Sequence, residues 1–155
     1  MIDVEEFLFF VDRALDGMTT IVTDLGDDLA NTAPPVPGAN SPYATLTHCL
    51  GVVEFWAGHV MAGRPVDRDR AAEFRAAGPV PALLARVSAV RQQLRADLDL
   101  FDEAAPPRNP PGAYSAGERA DLTQGGVLLH VLEELAQHHG QTELGRDVLL
   151  AWGRR

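Results

Sequence analysis

Lysine is missing from this 155-residue chain, in which all 13 basic residues are arginine. Its absence removes Schiff-base chemistry, the phosphate-binding lysine of a P-loop and any Ser-Lys dyad. Cysteine is nearly missing too. Cys49 stands alone, which excludes a disulfide framework and a cysteine-rich zinc site, and it points to a reducing cytoplasm. Its apolar surroundings read as those of a small core residue rather than a nucleophile. Serine is limited to Ser41, Ser88 and Ser115, none of them in a G-x-S-x-G setting, and no glycine fingerprint follows a strand pattern. Positive charge is in deficit: 22 acidic residues against 13 basic give a net charge of −9. The overall field therefore repels polyanions and argues against a nucleic-acid partner. No apolar run approaches the roughly 20 residues that span a bilayer. The opening Met1-Ile2-Asp3-Val4-Glu5-Glu6 is acidic where a secretory signal is basic. A soluble, untargeted protein with no membrane partner is expected.

What is present is a helical pattern. With 46% apolar and 23% charged residues, the chain is long enough for one domain over 1–155 with its own core. Phe7, Val11, Leu15, Met18, Val22, Leu25 and Leu29 recur at three- and four-residue steps, predicting a first helix over 3–30. Three prolines and a glycine in Asn31–Gly38 end it. Ser41-Pro42 reads as an N-cap followed by proline at the first helical position. The second helix then carries Leu46, Cys49, Val53, Trp56 and Val60 to about Ala62. A polar stretch from Gly63 to Gly78, with a short helical turn at Ala71–Ala77, leads to a third helix marked by Leu83, Val87, Val90, Leu94, Leu98 and Phe101. A second proline-rich connection over 104–112 precedes the longest helix, from about Asp121 to Ala151. Without any alternating strand pattern, the economical reading is an all-α four-helix bundle with long connections.

Three of the five histidines fall in the last helix. At 100° per residue, His130, Glu134, His138 and Gln141 lie within about 80° of one another, a polar seam beside an apolar face of Val127, Leu128, Val131 and Leu135. Glu134 and His138, four residues apart, can reach one ion by the geometry of a helical His-x-x-x-His pair. His130 lies about 12 Å along the helix from His138 and cannot close the same site. A further ligand must come from another helix, with His48 and His59 as candidates. They are about 16 Å apart on nearly the same face of helix two, and spacing does not choose between them. Two histidines and a carboxylate would hold a divalent ion, zinc first with nickel or ferrous iron as alternatives, and keep an open coordination position. Spacing alone equally allows a polar helix edge with Glu134 solvated.

The helix-two stretch Leu46-Thr47-His48-Cys49-Leu50-Gly51-Val52-Val53-Glu54-Phe55-Trp56 and the helix-four stretch Leu128-Leu129-His130-Val131-Leu132-Glu133-Glu134-Leu135-Ala136-Gln137-His138-His139-Gly140-Gln141 resemble the DinB-like superfamily. The branch they resemble contains the metal-binding domain of mycothiol-dependent maleylpyruvate isomerase. That resemblance implies a DinB-type four-helix bundle and a metal held by His48, Glu134 and His138, so it selects His48 where spacing did not. It further implies a metal-dependent thiol S-transferase or isomerase-like enzyme, activating mycothiol or a similar low-molecular-weight thiol for attack on a small electrophile. A non-catalytic metal-binding stress-response module and a metal-dependent hydrolase are the alternatives.

Gln141 is expected to hydrogen-bond a water or substrate at the open position. Arg146 is expected either to bind a substrate carboxylate or to pair with a neighbouring acid. His130 is read as a supporting or core residue. Phe9 and Phe10, outside the main stripe of helix one, suggest a homodimer.

Overall fold

A computed structural model of the chain describes residues 2–109 and 121–153. Pro110, Pro111 and Gly112 of the second proline-rich connection lie outside the described residues. Four long helices and one short one appear in order: α1 (Val4–Ala30), α2 (Pro42–Val53, continuing through Glu54–Met61), α3 (Arg70–Glu73), α4 (Val80–Leu98) and α5 (Gln124–Trp152). Among the described residues there is no strand, and no helix is long and apolar enough to cross a membrane.

The caps follow from residue chemistry. Asp3 accepts from the amides of Glu5 and Glu6, Ser41 accepts from Ala44 with Pro42 behind it, and Thr123 accepts from Gly126. Each satisfies an amide that the first helical turn leaves without a partner. At α4 the capping residue is Pro79, which offers no side-chain acceptor. The acceptor comes instead from α1. Gly26 takes φ 67°, a left-handed conformation open to glycine, and breaks the helix just before Asp27. Asp27 Oδ1 then accepts from Val80 N at 2.7 Å. Asn31 Oδ1 accepts from Gly78 N at 2.9 Å, and Asn31 Nδ2 donates to the carbonyl of Gly78 at 2.8 Å.

The core runs along the facing stripes of all four long helices. Leu15, Met18, Leu46, Leu50, Leu94, Leu128 and Leu135 are among its fully buried members. Both α1 and α2 pack against each other and against α4 and α5, while α4 and α5 lie on opposite sides of that pair. Every residue of α2 from Pro42 to Val53 is buried. A polar side chain on this helix therefore faces protein, not water. Phe9 and Phe10 are exposed on α1 and pack edge to face at 5.2 Å.

The second helix is not the uniform α-helix that the spacing implies. From Glu54 it widens into a π-helix, with Ala62 N bonding to Ala57 O and Arg64 N closing onto Gly58 O. A Cβ on Gly58 would lie 2.2 Å from the guanidinium of Arg64, and Arg64 is held by buried Asp97 of α4. The added residue per turn rotates everything beyond it. The expectation that His48 and His59 share a face fails for this reason.

Asp27→Ala is expected to destabilise the fold by about 1 kcal/mol, the typical cost of a lost N-cap. The same change at exposed Asp28 is expected to cost less than about 0.5 kcal/mol. Urea unfolding of both variants, with unchanged denaturant slopes, checks this.

Candidate metal centre

The packing of α2 on α5 brings His48 against Glu134 and His138. His48 is 2% exposed, while the two α5 residues are partly exposed one turn apart. Glu134 Oε2 lies 3.7 Å from His48 Nε2 and 3.4 Å from His138 Nε2. The two imidazoles meet edge to face with centroids 4.9 Å apart. One donor atom from each residue falls within 4.8 Å of the others, and among the described residues no further His, Cys, Asp or Glu joins the group.

The outer nitrogens of both rings are occupied. His48 Nδ1 lies 2.7 Å from Glu73 Oε2, and His138 Nδ1 lies 2.8 Å from Gln141 Oε1. Each acceptor holds a ring proton at Nδ1, so the proton given up on binding a metal is the one at Nε2, and the lone pair then exposed is directed inward beside the carboxylate. Two inward lone pairs and one carboxylate oxygen make a donor set for a divalent ion. Ligands bound at 2.0–2.1 Å around a tetrahedral ion lie about 3.3–3.4 Å from one another. The observed 3.4 and 3.7 Å are close to that spacing, so the residues fit a metal.

The electrostatics agree with the geometry. Bonds from His138 and His48 hold Glu134 far below the ordinary carboxylate range, against a burial effect of opposite sign. Burial disfavours a charged His48, but its bonds to Glu134 and Glu73 outweigh this and leave its pKa above the ordinary value. Burial likewise disfavours the charge on Glu73, yet His48 and Arg68 together bring its pKa below the usual value. Cys49, next to His48 in sequence, turns into the core instead. Burial pushes its thiol pKa well up, and its Sγ lies 3.8 Å from Met18 Sδ.

The remaining histidines stand apart from the triad or at its edge. His59 Nδ1 lies 3.0 Å from the carbonyl oxygen of Arg64, and its ring stacks on Phe55. His130 packs edge-on against Trp56 at 4.5 Å with Nε2 3.8 Å from Glu134 Oε1. His139 lies over Gly17 of α1, where a Cβ would come within 2.0 Å of Nε2. Gln141 meets the outer edge of His138 rather than the inner face of the triad. Arg146 pairs with adjacent Asp147 at 2.8 Å. Glu73, which contacts the triad at His48, is a charged group that the sequence pattern gave no reason to select.

The sequence profile of the DinB superfamily matches residues 11–142. The chain belongs to the DinB superfamily. Its members often bind metal, and the triad here joins α2 and α5. No curated protein matches the chain in sequence. Among solved structures, a conserved protein from a locus of Enterococcus faecalis is similar with a TM-score of 0.71 at 14% identity. The match covers 97% of this chain and 99% of that one, and at this identity it bears on the fold alone.

Two predictions come from the centre. The first concerns the metal-free protein. Glu134, with its pKa below the ordinary 4.5, stabilises above that value and loses its contribution as pH falls. His48, with its pKa above the ordinary 6.5, stabilises below that value and loses its contribution as pH rises past its raised pKa. Both contributions are complete between these limits. The stability gap between wild type and Glu134→Gln is therefore expected to be widest there, read by melts on both sides of the window. The second concerns metal removal. An ion present at about 100 times its Kd stabilises the native state by about 2.7 kcal/mol. Chelation is expected to lower the melting temperature by several degrees without unfolding the protein at room temperature. His48→Ala is expected to abolish that difference and His59→Ala to keep it.

Proposed function

We propose that the chain binds one divalent ion, zinc first with nickel or iron as alternatives, through His48, Glu134 and His138. On this reading it is a thiol S-transferase or isomerase-like enzyme using mycothiol or a similar low-molecular-weight thiol. The observation that carries the proposal is the convergence of His48 Nε2 and His138 Nε2 on a single Glu134 carboxylate oxygen. This set leaves one formal positive charge around a divalent ion and room for an external ligand. When bound, such an ion lowers the pKa of a thiol and favours the thiolate at neutral pH.

The protein's own groups have separate roles. Glu134 sets the charge of the centre, and Glu73 and Gln141 hold the two rings so that Nε2 faces inward. Beyond Gln141 lies a cleft of about 260 Å³, walled by Pro34, Val36, Pro42, Leu144 and Val148. A thiolate would either displace a leaving group, which departs with the bonding electron pair, or add to an activated double bond, whose neighbouring carbon then takes a proton from solvent; in both cases the thiol proton passes first to solvent. The resemblance to the mycothiol-dependent isomerase branch supports thiol use, and the triad supports metal binding.

Cobalt-substituted protein tests the reading. Addition of mycothiol, bacillithiol or a simple thiol is expected to produce sulfur-to-metal charge-transfer absorption, and Glu134→Gln to weaken it. If the spectrum stays unchanged with every thiol, the transferase reading gives way to metal-dependent hydrolysis or a non-catalytic metal-binding module. Thiol binding without turnover of any electrophile would favour the module.

A further inference from the structure

The α2–α4 segment converges on one ligand of the proposed centre. Buried Glu73 places Oε2 2.7 Å from His48 Nδ1. Arg68 grips the same carboxylate through two bonds, Nε to Oε1 at 2.7 Å and Nη2 to Oε2 at 3.0 Å. Phe74, the next residue, stacks on the His48 ring at 4.3 Å and 29°. Gly51, one turn beyond His48, leaves the space that the carboxylate fills. A Cβ there would lie 2.1 Å from Glu73 Oε1. Glu73 is not itself in the donor group, since it meets the outer edge of the ring. His138 has no such support. Its Nδ1 meets the neutral amide oxygen of exposed Gln141.

Resting on the metal-binding reading above, the geometry points to Glu73, braced by Arg68, as a positioning residue that makes His48 the anchoring ligand and leaves His138 the more weakly held one. An anionic acceptor on Nδ1–H fixes the tautomer and increases electron donation from Nε2, whereas a neutral amide fixes the tautomer with less donation. Arg68 prevents Glu73 from turning toward the ion by occupying both carboxylate oxygens. Gly51 makes this arrangement sterically open.

Cobalt affinity and the ligand-field spectrum of the full chain decide the matter. Glu73→Gln keeps the shape but removes the anionic acceptor. It is expected to weaken cobalt binding by about 10- to 100-fold and to shift the ligand-field bands. Gln141→Ala is expected to cost less than about 10-fold. Gly51→Ala, which keeps Glu73 but displaces its carboxylate, is expected to weaken binding as Glu73→Gln does, and it serves as the test if Glu73→Gln fails to fold.

Equal affinity and unchanged spectra in both Glu73→Gln and Gly51→Ala would overturn the inference while leaving the metal centre standing. So would a lower melting temperature in metal-free protein with no change in cobalt affinity, because that is a packing effect alone. A loss from Gln141→Ala as large as that from Glu73→Gln would overturn the assignment of His48 as anchor. Wild-type protein that binds no cobalt would remove the proposed function and this inference together.

Discussion

A buried imidazole must satisfy two nitrogens on opposite sides of one ring, and His48 meets that requirement across three segments of chain. Its outer nitrogen lies against Glu73 and its inner one faces Glu134. With the residue 2% exposed, water does not substitute for either partner, and leaving one unmet would cost about 1–3 kcal/mol. The seating of α2 against α5 and the position of the α3 turn are both tied to this ring. The bundle core supplies the bulk of the stability, but His48 sets where polar chemistry is held within it.

The longer architecture makes that placement precise enough to matter. Asp27 of α1 binds Val80, the first residue of α4, and Asn31, which caps α1, binds Gly78 just before it, fixing the far end of the segment that carries Arg68 and Glu73. At its near end, the π-helical turns bring Arg64 onto Asp97 of α4. The segment between these two anchors is thereby held against α2. A loop delivering a carboxylate to a ligand needs both of its ends restrained, or the hydrogen bond averages over many positions.

Periodicity carried α1, α4 and α5 well because each buries an apolar stripe, whereas α2 is buried all round; the i, i+4 relation of Glu134 and His138 is a property of a single helix. The sequence profile places the chain in the DinB superfamily, in keeping with the resemblance read from its helix-two and helix-four motifs. Spacing could not choose His48 over His59, and its assumption of one continuous α-helix was wrong. The π-helix begins beyond His48 and turns His59 toward Phe55 and Arg64. No local pattern announces that change of register. Glu73 was hidden for a different reason: its partner is 25 positions away, and an acid in a polar stretch ordinarily reads as solvated. The space at Gly51 that accommodates it is visible only once α2 and α3 are packed together.

The most direct test of the central claim is anomalous diffraction at the metal absorption edge, from crystals of protein purified without a histidine tag. One peak per chain is expected, within coordination distance of His48 Nε2, His138 Nε2 and Glu134 Oε2. A fully loaded protein whose peak lies elsewhere, or crystals from metal-supplemented protein that show no peak between α2 and α5, would contradict the account.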